Sequence, residues 1–353
     1  MQQNNTGKKR SLMLKLLIAL LVVLLLLLLA GVAAFNYVLS RFSRFEDDPA
    51  MTDTTPIADE FDPDESVEGG ETLMTVDPTD ITMNAVEQLQ GDVINVMLIG
   101  QDRRPGEYRA RSDTMILISI NEKKGTIAMT SFMRDTYVQI PGYLDNRLNA
   151  AYRYGGTELM NETFLVNFGI EIDGNVMVDF ESFMDIIDIL GGVDVNVTAT
   201  EASVMRGHGY EGIYAGTSHM DGEAAMYYAR LRWIDSDYNR TQRQRKILLG
   251  IANSLKNADI ITILDMIDQV LPCIVTNLSN AQIVEYTTIG LSMLAEGTEI
   301  ETLRIPANDA HYSASIRGMA VLVPDLEMCR EDLEEFIYLV DVPETTADAA
   351  SAP

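Results

Sequence analysis

The chain has 353 residues and a formal net charge of −27, from 53 acidic and 26 basic side chains. So acidic a protein is a poor partner for nucleic acids, because the phosphate backbone supplies most of that affinity. Hydrophobic residues make up 47% of the chain, which excludes disorder throughout and allows one large or two ordinary domains. Outside the cell, Cys273 and Cys329 would either form a disulfide or remain as two buried thiols.

An apolar segment near the N-terminus predicts a membrane anchor. Leu16 to Phe35 are 20 consecutive residues without a charged or strongly polar side chain. A helix of that length spans a hydrocarbon core of about 30 Å. A cleaved signal peptide is the alternative, although its apolar region is usually shorter. Basic residues before the segment place the N-terminus in the cytoplasm. We therefore expect a cytoplasmic tail at residues 1–10, a transmembrane anchor at 11–37 and an extracytoplasmic remainder.

Residues 38–90 predict an extended acidic stalk. The chain carries no Lys or Arg between Phe45 and Asp102, but many acids and several prolines. Such a composition buries too little apolar surface to offset the entropy lost on ordering. Residues 341–353 are small and polar and predict a disordered tail, which leaves residues 91–340 as the folded domain.

The pattern of apolar runs in residues 91–340 predicts an α/β fold. Val93–Gly100, Thr114–Ile120 and Thr126–Ser131 are short apolar runs typical of buried strands. Continuous apolar strands need cover on both faces, which indicates a layered architecture. Further strands are predicted at 176–180, 193–197, 301–305 and 319–323. Helices are predicted at 149–154 and 157–167 (broken at Gly155–Gly156), 180–190, 221–230, 239 or 240 to 255, 260–270, 280–294 and 326–339.

Three clusters combine arginines with carboxylates. They are Asp102 with Arg111 and Asp113, then Arg134 with Asp135, and the basic stretch 230–246. Ligands of α/β sheets lie beyond the carboxyl ends of strands, where the first two clusters begin. Guanidinium forks match phosphate oxygens, and carboxylates hold Mg²⁺ together with phosphate oxygens. Three such clusters in an acidic domain favour a phosphate site over ordinary surface ion pairing.

Other catalytic motifs are missing from the sequence. The three histidines show neither HxxxH nor HExxH spacing, which argues against zinc. The chain has no GxxxxGK[ST] loop, which argues against ATP or GTP as a substrate. Ser218 and His219 are adjacent, but without a GxSxG elbow they do not indicate a serine hydrolase.

Seven stretches of the domain resemble one known family. They are NVMLIGQDRR, RSDTMILISIN, SFMRDTYVQIPG, NRLNAAYRYGG, VDFESFMDIIDILGGVDV, HMDGEAAMYYARLR and DSDYNRTQRQRKIL. In order and spacing, from about Asp92 to Leu339, the chain resembles the LytR–CpsA–Psr family of bacterial envelope proteins. The anchor and the stalk are also similar to the family's usual layout. The resemblance implies a three-layer α/β/α fold around a mostly buried central sheet.

The resemblance implies an Mg²⁺-dependent phosphotransferase of Gram-positive and related bacteria, with Mn²⁺ as the alternative cofactor. Such an enzyme moves a phosphate-linked glycopolymer (teichoic acid, capsule or a related anionic polysaccharide) from an undecaprenyl-pyrophosphate carrier to peptidoglycan. No nucleotide or nucleic acid takes part. Two other functions stay open: a polyprenyl-pyrophosphate pyrophosphatase with water as acceptor, and a non-catalytic membrane-bound envelope regulator.

Residue roles follow from the same resemblance. Asp102 and Asp113 match the metal-side aspartates. The residues that match the pyrophosphate-binding positions are Arg111, Arg134, Arg230, Arg232, Arg240 and Gln244. The implied catalytic set is Asp102, Arg111, Asp113, Arg134 and Asp135, with Asp135 or Asp102 as the base that deprotonates an acceptor hydroxyl.

The chain departs from the family pattern at three places. The family's PRD is Met133-Arg134-Asp135 here, its DGDFGR is DSDYNR, and its RQQ is Arg243-Gln244-Arg245. The charged positions are intact, so the departures affect loop geometry and acceptor preference. Arg243, Arg245 and Lys246 are expected on a solvated face or at the edge that faces the anionic wall.

Overall fold

The computed structural model describes residues 43–44, 73–101, 112–231, 237–257, 266 and 269–339. Its strands are β1 (Ser43–Arg44), β2 (Ile94–Gln101), β3 (Ser112–Asn121), β4 (Thr126–Phe132), β5 (Tyr137–Val138), β6 (Asn146–Arg147), β7 (Gly174–Asp179), β8 (Val193–Val197), β9 (Gly216–Met220), β10 (Val275–Thr276), β11 (Ile300–Ile305), β12 (His311–Ile316) and β13 (Met319–Pro324). Its α-helices are α1 (Leu148–Phe168), α2 (Phe180–Ile189), α3 (Ala199–Gly207), α4 (Gly222–Arg230), α5 (Asp237–Asn257), α6 (Asn280–Ala295) and α7 (Leu326–Leu333).

A mixed seven-stranded sheet forms the centre, in the order β1-β10-β7-β2-β3-β4-β11. β2 pairs in parallel with β7, and β4 pairs in parallel with β11. β3 lies between β2 and β4 and is antiparallel to both. The carboxyl ends of β2, β4, β7 and β11 therefore lie at one edge, together with the amino end of β3. We call this edge the sheet rim.

Helices pack on both faces of the sheet, so the predicted α/β fold with a central sheet is confirmed. On one face, the ring of Phe132 lies 4.7 Å from that of Phe164 on α1. On the other face, Ile120 and Ile127 share a small core with Met293 of α6. Alternate residues of a strand point to opposite faces, which is why neighbouring apolar residues enter different cores.

The helix α1 is interrupted at the predicted place. Gly155 and Gly156 leave helical geometry, Gly156 with φ 66 and ψ −153, and a helix lies on either side. Gly156 suits such a kink, because it adopts a backbone conformation that side chains disfavour. The break predicted between two helices at these glycines is therefore confirmed, and α1 is two helical segments joined by a kink.

Residues 73–90, which were expected to belong to the stalk, pack against the domain. The Val76 amide donates to the Ser315 carbonyl (3.0 Å), and the Leu89 amide donates to the Gly169 carbonyl (2.8 Å). Leu89 is buried in the main core. Contact with the folded domain thus begins well before residue 91, the expected domain boundary. The polar composition of this segment hides a few apolar residues that suffice to dock it.

Several elements were not predicted. Helix α3 begins with a capping box, in which the side chains of Thr198 and Glu201 each accept from the other's backbone amide. The polar strand β12 pairs with β13 in a separate hairpin. The predicted last helix is α-helical only to Leu333 and ends in a π-helical turn, Glu334–Tyr338.

Both cysteines are free thiols. Burial, with smaller effects from two aspartates, raises the pKa of the Cys329 thiol to about 12. The predicted anchor at 11–37 and tail at 341–353 lie outside the described residues, as does most of the predicted helix at 260–270. Within the described ranges, none of the helices has the length and apolar character needed to cross a membrane.

Candidate functional site

A bulge in β3 brings Asp113 to the sheet rim. Gly100 of β2 pairs with Thr114, but the next residue, Gln101, pairs with Ser112. Asp113 is therefore the extra residue, and bulges of this kind redirect a side chain where pairing ends. Its carboxylate oxygen Oδ1 lies 2.7 Å from Nη1 of Arg134. The convergence of Asp113 with the residues that follow β4 was an inference from sequence, and the structure confirms it.

The turn after β4 holds Arg134 in place. The Met133 amide donates to the Ile305 carbonyl of β11 (2.8 Å), and the Arg134 carbonyl accepts from the Asn149 amide (3.2 Å). The Thr136 hydroxyl closes the turn on the Met133 carbonyl at 2.7 Å. Arg134 is only 8% exposed. Its guanidinium is thus fixed by backbone bonds on one side and by Asp113 on the other.

Asp135 lies between two guanidinium groups. Its Oδ2 is 3.5 Å from Nε of Arg134, and its Oδ1 is 3.5 Å from Nε of Arg147. Arg147 also donates twice to the Ala320 carbonyl of β13, at 3.0 and 2.8 Å. Arg147 was not chosen from the sequence, although it lies inside the NRLNAAYRYGG stretch. The arrangement suits Asp135 to position arginines.

Unsatisfied polar groups lie buried beneath the rim. The side chains of Gln101, Ser112 and Asn149 are at most 1% exposed. Within the described part of the chain, the amide atoms of Gln101 and Asn149 and the hydroxyl of Ser112 find no hydrogen-bond partner. Buried polar groups almost always have partners, so such a cluster indicates a site completed by water or a polar ligand.

The helices α4 and α5 carry the other predicted pyrophosphate residues. The guanidinium carbon of Arg230 lies 4.6 Å from the ring centre of Phe180, which follows β7 at the rim. Arg240 is buried and Gln244 is half-buried on α5, a helix that contacts β4, β8 and β11. These residues therefore approach the rim from the helical layer, whereas Arg134 approaches it from a strand end.

Part of the basic stretch is not a solvated face, contrary to the sequence analysis. Arg243 is 1% exposed, lies 3.4 Å from a carboxylate oxygen of Glu201 and also donates to the Leu231 carbonyl. Lys246 lies 3.7 Å from the same carboxylate. Burial opposes ionisation of Glu201, but hydrogen bonds from Thr198 and Tyr228 and the charge of Lys246 leave its pKa lowered overall. The expectation was wrong because Glu201 belongs to α3, which was not predicted.

Asp102, Arg111 and Arg232 lie outside the described residues. Gln101 and Ser112, which adjoin Asp102 and Arg111 in the chain, are paired at the rim. Arg304, the penultimate residue of β11, was not selected from the sequence. The available signal was a charged residue at the end of a predicted strand.

Asp113 fits a magnesium site of the predicted kind. Mg²⁺ is usually held by one or two carboxylates, with phosphate oxygens and water completing its octahedral shell. The described residues contain no group of three or more His, Cys, Asp or Glu placed to hold a metal ion.

Comparison with known proteins agrees with the resemblance seen in the motifs. TagU of Bacillus subtilis (strain 168), a polyisoprenyl-teichoic acid–peptidoglycan teichoic acid transferase, is 35% identical over 48% of this chain and 55% of its own length. The chain thus spans about half the length of that relative. TagV of the same organism, with the same description, is 30% identical over 74% of this chain and 69% of its own length.

The fold is also found among solved structures. The structure of TagT bound to LIIa-WTA is 26% identical, with a TM-score of 0.58, and the match covers 72% of this chain and 96% of that one. Residues 63–334, which include the rim, α4 and α5, match the LytR_cpsA_psr family. This match covers well over half of the chain. The chain belongs to the LytR_cpsA_psr family.

Proposed function

We propose that the protein transfers a phosphate-linked glycopolymer from a polyprenyl-pyrophosphate carrier to peptidoglycan. The observation that supports this most is the Asp113–Arg134 pair at the sheet rim, 2.7 Å apart and backed by a second carboxylate on Asp135. TagU and TagV, which share the family, are described as teichoic acid transferases. A fixed guanidinium at the end of a sheet is suited to binding the charge of a pyrophosphate.

In the proposed reaction, an acceptor hydroxyl oxygen forms a bond to the glycan-side phosphorus, and the polyprenyl phosphate leaves with the bridging oxygen. Arg134 would stabilise the negative charge on the reacting phosphoryl group, while Arg230 and Arg240 would hold the leaving phosphate. A carboxylate accepts the hydroxyl proton. Asp135 and Asp102 are the two candidates for this role. Catalysis of phosphoryl transfer depends mainly on such positioning and charge stabilisation.

Mg²⁺ held by Asp113 and Asp102 would neutralise part of the pyrophosphate charge when bound. The buried polar atoms of Gln101 and Ser112 lie at the same rim and would bond water or phosphate oxygens around it. Removal of divalent cations by a chelator is expected to abolish transfer, and Mn²⁺ is expected to restore it in part.

The polyprenyl tail is proposed to lie against the sheet face that α6 covers. Leu98, Ile118 and Val178 on this face are only half-buried. On the opposite face, Met97 and Leu117 are 0% exposed. Incomplete burial of apolar strand residues leaves surface that an apolar chain can cover. Burial of such surface is favourable by about 25 cal/mol per Å². We further propose that residues 11–37 anchor the protein, with the domain outside the cytoplasmic membrane.

The test uses the full-length chain in detergent with a polyprenyl-pyrophosphoryl glycan, Mg²⁺ and peptidoglycan. Arg134→Ala is expected to lower the rate of glycan transfer by about 100-fold or more, because a fixed transition-state donor is lost. Lys123→Gln removes a positive charge from an exposed ion pair far from the rim and is the matched control. Equal rates for wild type and Arg134→Ala would contradict the site assignment.

Product analysis separates the alternatives. Release of phosphorylated glycan at the same rate with and without peptidoglycan would indicate a pyrophosphatase. Lipid binding without any turnover would indicate a non-catalytic regulator.

A further inference from the structure

Two further arginines lie together near the β11 end of the rim. Arg304 is the penultimate residue of β11, and Arg245 lies on α5, which contacts β4 and β11. The guanidinium carbon of Arg304 lies 4.1 Å from the ring centre of Tyr238. Arg245 is close enough to both Tyr238 and Arg304 to feel their charges. Arg304 thus lies against the ring of Tyr238, and Arg245 lies within electrostatic reach of both.

Neither guanidinium has a counter-charge in the described part of the chain. Arg245 is 7% exposed, and its Nη1 is buried without a hydrogen-bond partner in the described part of the chain. Arg304 donates from Nη2 to the neutral Asn308 side chain at 2.8 Å. Among the described residues, no carboxylate lies within ion-pair distance of either. Burial lowers the pKa of both arginines, and for Arg245 the charge of Arg304 acts in the same direction.

A buried hydroxyl lies next to this pair. Ser131 of β4 is the register partner of Arg304, so the two side chains point to the same face of adjacent parallel strands. Ser131 is 1% exposed, and its hydroxyl has no hydrogen-bond partner among the described residues. Donors from β4, β11 and α5 thus lie on adjacent elements, and among the described residues the one acceptor found for them is the neutral Asn308 side chain.

Two other buried arginines of the domain have a paired carboxylate, which Arg245 and Arg304 lack among the described residues. Arg134 is paired with Asp113, and Arg243 is paired with Glu201. A guanidinium buried without an anion is destabilising, because its desolvation is not offset. A protein that keeps one buried and one half-buried guanidinium of this kind near each other gains if a ligand supplies the negative charge.

We propose that Arg245, Arg304 and the Ser131 hydroxyl form a second oxyanion subsite, which binds a phosphoryl group. A planar carboxylate is satisfied by one guanidinium fork, whereas a tetrahedral phosphoryl group accepts donors from several directions. The phosphoryl group belongs either to the pyrophosphate of the carrier or to a phosphodiester of the attached polymer. The identity of that ligand rests on the proposed function; the subsite itself does not.

The experiment measures thermal unfolding of the full-length chain in detergent, at constant ionic strength set with chloride. The probes are inorganic phosphate, inorganic pyrophosphate and the diester glycerophosphoglycerol. Every protein carries Arg134→Ala, so that the pyrophosphate site at Arg134 is weakened. Added to this background are Arg245→Gln, Arg304→Gln and, as a control, Lys123→Gln. Glutamine is also the residue of the family's RQQ pattern at position 245.

Phosphate is expected to raise the Tm of the background protein and of the Lys123→Gln control. The shift is expected to vanish in Arg245→Gln and in Arg304→Gln, with at least a tenfold loss of affinity. Without phosphate, Arg245→Gln is expected to unfold at or above the background Tm, because an uncompensated buried charge is removed. If the diester raises the Tm, the phosphoryl group belongs to the polymer. If pyrophosphate raises the Tm and the diester does not, the phosphoryl group belongs to the carrier.

An unchanged phosphate response in both arginine variants would overturn the proposal. If Arg245→Gln fails to fold, the phosphate response of Arg304→Gln alone tests the proposal, because Arg304 is only half-buried. The outcome is separate from that of the proposed function. Absence of glycan transfer by the wild type refutes the function, yet leaves the subsite standing if the phosphate response still depends on Arg245 and Arg304.

Discussion

Single arginines in this domain differ in what neutralises them. Arg134 is held by Asp113 at the rim, while Arg243 is buried against Glu201 behind it. Arg147 divides its donors between Asp135 and a backbone carbonyl. The guanidinium has five donors in one plane, so its role depends on the acceptors around it. The sequence identified the residue type, but only the neighbours distinguish a ligand residue from a structural one.

Replacement of Glu201 by Gln is expected to lower the free energy of unfolding by about 3–5 kcal/mol, because Arg243 remains buried without a counter-charge. Chemical denaturation of the full-length chain in detergent measures the loss. The exposed Glu301→Gln is the control and is expected to cost less than about 0.5 kcal/mol.

The Glu201–Arg243 pair also makes the free energy of unfolding depend on pH. The pKa of Glu201 is lower in the folded state than its ordinary value of 4.5. Its ionised form therefore stabilises the fold fully above that value, and this stabilisation is lost as the pH falls through the lower, folded pKa. The difference between wild type and Glu201→Gln should shrink in acid, and a constant difference down to pH 3 would argue against this account.

Among the secondary-structure elements, strand direction creates the site. β3 runs antiparallel to β2 and β4, so its first residues meet the last residues of both. The bulge at Asp113 then places a carboxylate opposite Arg134. Apolar runs predict that these strands exist, but a period-2 pattern carries no information about direction or neighbours.

The end of α1 provides a test of how one element is joined to another. Gly169 ends this helix with φ 69, and an added Cβ would lie 2.4 Å from the Glu87 carbonyl oxygen. Gly169→Ala is expected to cost about 2 kcal/mol or more in the free energy of unfolding, from left-handed strain plus this clash. Hydrogen exchange at residues 83–89 should also accelerate.

Gly125→Ala is the matched control for that substitution. Gly125 has nearly the same φ, 71, but nothing lies within 4 Å of the added Cβ. Its loss in the free energy of unfolding should come from backbone strain alone, about 1 kcal/mol. Equal losses of stability in the two variants would mean that the segment before β2 does not press on Gly169.

For the molecule as a whole, the segment 73–90 belongs to the folded unit. Leu89 is buried, and Met83 and Val86 pack on the main core. The family match, which begins at residue 63, agrees with this extent. A stalk and a folded domain are therefore not separated at residue 91 as composition suggested.

Removal of this segment is expected to destabilise the domain. Relative to a chain that begins at residue 73, a chain that begins at residue 91 loses one fully and four partly buried apolar side chains, worth roughly 4 kcal/mol. For a domain of this size that corresponds to a fall in Tm of about 10 °C, measurable by calorimetry. Identical values of Tm would show that the packing of residues 73–90 contributes nothing.

Local patterns in the sequence are enough to predict the family, the α/β class and the positions of most strands and helices. These depend on local periodicity and on motifs that are continuous in the chain, such as SFMRDTYVQIPG and the apolar run of β3. The sequence also indicated that Asp113, Arg134 and Arg240 belong to a phosphate site, because residue type and spacing are local properties.

Which charges are compensated depends on how the helices and strands pack in three dimensions. Arg243 and Arg245 stand two residues apart in the chain, but Arg243 meets Glu201 from α3, and Arg245 meets Arg304 from β11. Glu201 and Arg304 are each more than 40 residues away, so no local pattern brings them together. Burial and charge pairing are properties of packed elements, and they set the free energy of each guanidinium. For that reason the stretch predicted as a solvated face contains both a buried ion pair and the proposed second anion subsite.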